Sequence, residues 1–289
     1  MDAPLPCGLS LITWLCLFNS ARSFLCDPSS TSRKPLTDFT TMGKARVILS
    51  ILALAVIGAG IAMQFFVILS GTSAGGPPKY VYMLQANTDN IPVSSNRNPV
   101  RWTFWGMCGS DGSPRNVNCD KPGAAPPFNP PQNFATAEGV PFQFTETSRF
   151  YNLSKSMWGM YLVALIFSVL SLATGIPALF RWTGGFKSGF AAMMAFLFQG
   201  LAAGLMSAWA VEGRDVFIKS GHAANVGYYA FGFAWGSVGC FLTAVVLYVL
   251  GGVVTAEGPA RERRERKERA MRKAGGIPAE HQMQPGKEI

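Results

Sequence analysis

Residues Arg101–Cys119 read RWTFWGMCGSDGSPRNVNC. Two tryptophans, two cysteines and a set of turn formers fall in one short polar segment. Cys108 and Cys119 are the only cysteines between residues 27 and 239. Facing an oxidising space, they are the disulfide pair. Closing so short a loop stabilises a fold by roughly 3 kcal/mol in the chain-entropy model. Facing a reducing space, they would remain two thiols in a Gly/Pro-rich loop. Trp102 and Trp105 are large amphipathic anchors, suited either to packing on the bridge or to resting at a bilayer interface.

The flanks decide which space the segment faces. Moving outward from it, four runs lack any charged residue: Val47–Leu69, Met157–Leu179, Ser188–Val211 and Val226–Val254. Each is long enough to cross a hydrocarbon core of about 30 Å as a helix. The composition agrees, with 49% hydrophobic and 14% charged residues and a mean hydropathy of +0.22. Soluble domains carry about 25% charged residues. The formal net charge of +9 then reads as membrane topology and attraction to an anionic leaflet rather than nucleic-acid binding. No zinc-finger spacing, RNA-binding signature, heptad run or internal repeat is present.

Orientation follows from the basic residues beside the runs. Lys44 and Arg46 precede the first, and Arg181 and Lys187 lie in the tight connection between the second and third. The tail after the fourth holds Arg261, Arg263, Arg264, Arg266, Lys267, Arg269, Arg272 and Lys273. The connection between the third and fourth is balanced, with Glu212 and Asp215 against Arg214 and Lys219. Both termini are therefore expected in the cytoplasm, and residues 72–155 outside. That long loop carries seven basic residues against five acids, but long loops cross largely regardless of charge.

Within the loop, Lys79–Leu84 and Val100–Trp105 read as strands. Asp111-Gly112 marks a turn between the cysteines, and Pro122–Pro131 is too proline-rich for a helix or a central strand. A small sheet pinned by the disulfide, followed by an extended arm down to the second helix, is expected. Asn152-Leu153-Ser154 is a glycosylation sequon almost against the membrane. Residues 1–41 fit least. Leu9–Phe18 is apolar but too short to span, and no basic residue precedes it as in a signal peptide. The segment is expected to be a disordered N-terminal extension or an artefact of gene prediction, a cleaved signal peptide being the alternative. Met42-Gly43 begins like a myristoylation site, but Val47 stands where Ser or Thr is required.

Segments WTFWGMC, the cysteine following NVN, ETSRFYNLSKSMWGMYL and VEGRDVF together resemble the fungal Sur-seven/PalI family of four-span plasma-membrane proteins, over about residues 46–254. The Trp-Gly-x-Cys pattern with a second cysteine is also similar to the claudin superfamily motif. The resemblance implies Trp102, Trp105, Gly106, Cys108, Cys119 and Arg214 as motif positions. It implies a non-catalytic protein of the eisosome-associated compartment that organises a cortical membrane domain, with links to endocytosis and cell-wall maintenance. A PalI-like component of ambient-pH sensing is the alternative.

The helices carry a packing signal of their own. Gly200 with Gly204, and Gly232 with Gly236, are small-xxx-small pairs that let helices approach, within the bundle or between molecules. Tyr228, Tyr229, Phe231, Phe233 and Trp235 suit an interfacial belt in the outer half of the fourth run. A channel or transporter is less favoured, because Gln64 and Gln199 are the only conspicuous polar residues in the runs. Helical rise puts their depths roughly 9 Å apart, which argues against a direct pair. Only two histidines occur, His222 and His281, and no metal-ligand or nucleophile–base spacing is recognisable, so no catalytic residue, metal or cofactor is expected.

Residues 261–273 hold eight basic residues and three acids, and Glu262–Arg266, Glu265–Arg269 and Glu268–Arg272 are helix-supporting pairs. This stretch is either a solvated helix or an electrostatic attachment to anionic inner-leaflet lipid. The expected architecture is an all-α membrane protein, a four-transmembrane-helix bundle with a small disulfide-pinned extracellular β-sheet, claudin-like in its motif. The membrane unit covers residues 42–254, with helices at about 47–69, 157–179, 188–211 and 226–254, and a basic cytoplasmic tail covers 255–289. Expected partners are membrane lipids, second copies or other cortical membrane proteins, and not nucleic acid.

Overall fold

The structure, a computed structural model, describes residues 38–72, 77–92, 97–145, 148–178 and 182–274. Expectations for residues 1–37 and for the end of the tail lie outside these. Four long helices dominate: α1 (Asp38–Ile68), α3 (Arg149–Ala178), α4 (Trp182–Lys219) and α5 (Tyr228–Ala274), with a short α2 (Pro130–Phe134) in the long loop. Each long helix contains a stretch long and apolar enough to cross a membrane: Val47–Ile68, Arg149–Pro177, Lys187–Lys219 and Tyr228–Gly251. A helix satisfies its own backbone groups where no water can, which is why such runs fold this way.

The outward faces complete the assignment. Ile48, Ile51, Phe65, Ile166, Leu170, Phe190, Leu201, Val246 and Val249 are all exposed, Phe190 by 68%. A soluble protein would not tolerate so continuous an apolar surface. Inward, Ala53, Ile57, Ala192, Ala195, Phe241, Ala244 and Tyr248 form one core between the helices. A second and larger core joins the other half of the bundle to the loop and includes Trp102, Phe104, Phe128, Phe134, Phe144, Trp209 and Phe217.

The loop builds a four-stranded antiparallel sheet in the order β3-β2-β1-β4: β1 Leu84–Ala86, β2 Val100–Trp102, β3 Met107–Cys108 and β4 Ala224–Val226. The register pairs Leu84 with Trp102 on one side and with Val226 on the other. Arg101 pairs with Cys108. Three details depart from the sequence reading. The stretch expected as a strand at Lys79–Leu84 begins instead as a 3-10 turn over Pro77–Tyr80, because consecutive prolines fix φ and lack ladder donors. The second strand stops at Trp102, where Thr103 turns back and its N–H donates to the Gly106 carbonyl at 2.9 Å. The last strand comes from the short connection between α4 and α5, which the sequence presented only as a charge-balanced turn.

Helix α3 begins eight residues before its charge-free run. Phe150 is buried there and Leu153 packs on the same core, so the segment belongs to the loop unit as much as to the span. Glycines permit two close crossings. A Cβ on Gly227 would overlap the Tyr82 carbonyl oxygen, and one on Gly213 would fall 3.1 Å from the Phe128 ring.

Candidate functional site

Cys108 and Cys119 are joined in a disulfide. The bridge closes a loop that is further pinned by reciprocal backbone hydrogen bonds between Gly109 and Val117. Asn116 anchors it from below, donating its side-chain amide to the Val81 carbonyl at 2.8 Å and its N–H to the Lys79 carbonyl at 2.7 Å. Arg97 and Asp120 add an ion pair at 2.6 Å just past the bridge.

Arg101 is the residue that sequence reasoning missed. It is buried in the sheet beside Cys108. Its guanidinium donates to the Gln85 side-chain oxygen at 2.7 Å, the Arg115 carbonyl at 2.8 Å and the Ser113 carbonyl at 3.3 Å. It also lies 4.7 Å from the centre of the Tyr82 ring. Arg101 thus holds the disulfide loop against the sheet with the fork geometry that lysine lacks. Burial lowers its pKa below the ordinary arginine value, against opposing contributions from Tyr82 and Asp111. Asp111 is held below the usual carboxylate range because the Ser113 hydroxyl and backbone N–H both donate to it. The only sequence signal for Arg101 was a charge inside a strand otherwise rich in apolar residues.

The two tryptophans take different roles. Trp102 is buried and sits within 5.8 Å of the Phe128, Phe134 and Phe217 rings, so it is a core anchor. Trp105 is half-buried, and its indole N–H donates to the Ile68 carbonyl at the end of α1 at 2.5 Å. Ser70 joins the same two elements, accepting from the Phe104 N–H at 3.0 Å and donating to the Val67 carbonyl at 2.7 Å. The Trp-Gly-x-Cys segment therefore ties the sheet to the first helix. Gly106 supplies the carbonyl that closes the Thr103–Gly106 turn. Arg214 lies apart from this cluster, near the C-terminal end of α4, bonded to its neighbour Asp215 at 2.6 Å. A further ion pair, Arg149 to Glu212 at 2.7 Å, bridges α3 and α4.

A second polar constellation lies inside the bundle and overturns the depth argument against a glutamine pair. Gln64 donates to the Gln199 side-chain oxygen at 2.8 Å and to the Tyr161 carbonyl at 3.3 Å. Ser168 donates to the Gln64 side-chain oxygen at 3.3 Å, and Gln199 donates to the Ser237 hydroxyl at 2.8 Å. All four of these polar side chains are fully buried, and the network joins all four long helices. The expectation failed because it took the ends of the apolar runs as one plane. Helix α4 continues to Lys219, well past the end of its charge-free run, whereas α1 stops at Ile68.

Of the four glycines in small-xxx-small pairs, Gly236 packs within the bundle, where an added Cβ would meet the Met63 sulfur at 2.9 Å. Gly200, Gly204 and Gly232 face open space instead. Gly60, outside those pairs, makes the tighter contact: a Cβ added there would lie 2.7 Å from the Phe241 ring. The basic positions Arg261, Arg263, Arg264, Arg266, Lys267, Arg269, Arg272 and Lys273 lie on the continuation of α5, and their side chains lie outside the described residues. Asn152 is exposed on α3, while the Ser154 hydroxyl of its sequon is buried and accepts the Phe128 N–H at 2.8 Å. Among the described residues, no group of His, Cys, Asp or Glu side chains is placed to hold a metal ion.

Four membrane-length helices carrying a disulfide-pinned sheet define a multi-pass membrane protein of the four-span class. The model of the SUR7/PalI family matches residues 49–247, and the chain belongs to that family. It is 35% identical over 188 residues to SUR7 family protein FMP45 of Saccharomyces cerevisiae, covering 64% of this chain and 60% of that protein. It is 29% identical over 210 residues to Protein SUR7 of Candida albicans, covering 72% and 76%. Similarity to the uncharacterized plasma membrane protein YNL194C of Saccharomyces cerevisiae is 30% over 187 residues, covering 61% and 59%. The chain thus spans less than two thirds of the length of the first and last of these relatives.

Proposed function

We propose that this chain is a non-catalytic plasma-membrane protein that organises a cortical membrane domain, the eisosome-associated compartment to which its family resemblance points. Links to endocytosis and cell-wall maintenance follow from the same resemblance. One observation carries the reading. The polar and aromatic residues are spent on joining the loop to the helices and the helices to one another, while smooth faces at Gly200, Gly204 and Gly232 remain open toward neighbours in the membrane. Such faces suit lateral association with second copies or other cortical proteins. The plasma-membrane assignment draws on the printed name of one relative.

Both termini lie in the cytoplasm in this proposal, with the disulfide loop outside. The basic flanks of the helices and an oxidised Cys108–Cys119 pair support that orientation. The basic continuation of α5 then faces the inner leaflet, where each basic residue near anionic lipid contributes about 1 kcal/mol before its acids are subtracted. A fluorescently tagged copy imaged in living cells tests the function: immobile cortical patches are expected, and a uniform, freely diffusing signal would overturn it. Intact patches, together with a lost response to alkaline medium on deletion, would favour the pH-sensing role instead. A solute flux in liposomes would favour a channel.

A further inference from the structure

We infer that Cys119 is a site of S-thiolation, where a small peptide thiol opens the Cys108–Cys119 bridge and Cys108 leaves as a thiolate on the Arg101 side of the sheet. The two halves of the bridge are not equivalent. Cys108 is fully buried in β3, whereas Cys119 is exposed. A thiolate attacks a disulfide in line with the sulfur–sulfur bond, so access decides which sulfur it meets. Cys119 also lines a cleft of about 530 Å³, within the size range of small-molecule sites. Arg115 stands exposed in the same lining as a cation for the thiol's carboxylates. The two acids of the lining are already occupied, Asp111 by Ser113 and Asp120 by Arg97.

The leaving sulfur has a cation for a neighbour. Arg101 and Cys108 are direct partners in the antiparallel ladder, so their side chains share one face with Cβ atoms about 5 Å apart. Arg101 is itself buried, and its guanidinium is fixed there by the Gln85 side chain and the Ser113 and Arg115 carbonyls. A fixed cation beside a sulfur favours its thiolate, and a thiol of lower pKa leaves faster. The exchange balances without an oxidant or reductant. The attacking thiol loses its proton to solvent, its sulfur bonds the Cys119 sulfur, the bridge bond breaks, and its electron pair stays on Cys108. The opened loop keeps its place. Gly109 and Val117 exchange backbone hydrogen bonds, the Asp120 N–H donates to the Met107 carbonyl at 2.9 Å, and Asn116 holds the Val81 carbonyl. Cys119 therefore stays beside Cys108, whose thiolate attacks the mixed disulfide, expels the thiol and restores the bridge. In cells the reaction rests on the outward placement of residues 72–155 proposed above.

The test uses the full chain in a maltoside detergent, with its free thiols alkylated beforehand. Millimolar glutathione is added, exchange is stopped with acid, and newly formed thiols are trapped in denaturant by a second alkylating agent of different mass. Peptide mass spectrometry is expected to find glutathione on Cys119 and the second label on Cys108. Arg101→Lys and Arg101→Gln both lose the fork, but only the lysine variant keeps a cation. Adduct formation is expected to be about three- to tenfold slower in Arg101→Gln than in Arg101→Lys, with the adduct still on Cys119. A structural role alone would loosen the loop alike in both and leave the two rates equal. An adduct on Cys108, an adduct shared evenly between the two cysteines, no mixed disulfide at all, or equal rates in the two variants overturns the inference. Detergent removes sidedness, so such a result rejects the site and leaves the topology standing, which protease access to the tail in sealed vesicles reports separately.

Discussion

Replacing Gln199 by Leu tests whether the buried polar network acts as one unit. The substitution nearly preserves volume and removes two interhelical hydrogen bonds, one accepted from Gln64 and one donated to Ser237, both at 2.8 Å. Such bonds average about 0.6 kcal/mol within membranes and reach about 1.7 kcal/mol. The expected loss is therefore roughly 1–3 kcal/mol. Gln64→Leu removes the shared bond, the bond to the Tyr161 carbonyl and the one received from Ser168. Its cost should be larger, roughly 2–5 kcal/mol on the same scale. The double variant counts the shared bond once and leaves neither amide stranded. It should fall short of the summed single losses by about 0.6–1.7 kcal/mol. Unfolding titrations in mixed micelles, read by tryptophan fluorescence, measure all three variants. Losses that add within about 0.3 kcal/mol would refute the direct glutamine pair.

Four further outcomes are expected. Cys108→Ser, Cys119→Ser and the double variant should show the same destabilisation, roughly 3 kcal/mol, in thermal melts of purified protein; a double variant worse than either single would argue against one shared bond. Arg101→Lys should loosen the disulfide loop by about 2 kcal/mol through the lost fork to the Arg115 and Ser113 carbonyls, seen as faster hydrogen exchange over residues 109–118 with the span helices unchanged. Because Asp111 has a depressed pKa, its turn contribution is present above the ordinary carboxylate range and is lost as pH falls through the lowered value; exchange at the Ser113 N–H should rise only there. Gly227→Ala should disrupt the close crossing with Tyr82 and lower expression of folded protein, whereas Gly200→Ala and Gly204→Ala should leave the melt unchanged and alter only lateral association, measured by crosslinking in membranes.

The span helices were legible because apolar length without charge has few other physical explanations. The disulfide was legible because only two cysteines lie in the long loop. The sheet was harder to read. Its strands are two or three residues long, too short for an alternating pattern to register, and β4 pairs with β1 across more than a hundred residues of chain. Burial of Arg101 and the meeting of Gln64 with Gln199 depend on how elements stack, which a one-dimensional pattern does not encode. The split fate of the glycines has the same origin: Gly236 meets Met63 while Gly200, Gly204 and Gly232 point outward, although all four obey one spacing rule.

The position of β4 has a consequence for biosynthesis. Strand β1 has one edge covered by β2 from the same loop, but its other edge is closed only by Ala224–Val226, translated after α3 and α4. During synthesis the loop can oxidise and form its three-stranded part while that edge remains bare. The edge closes when α4 has delivered the connection to the same side of the bilayer, with α5 starting at Tyr228, two residues beyond β4. Completion of the sheet therefore reports that the helical hairpin has threaded correctly. A chain arrested before β4 would display unpaired backbone donors and acceptors, the kind of surface that chaperones retain.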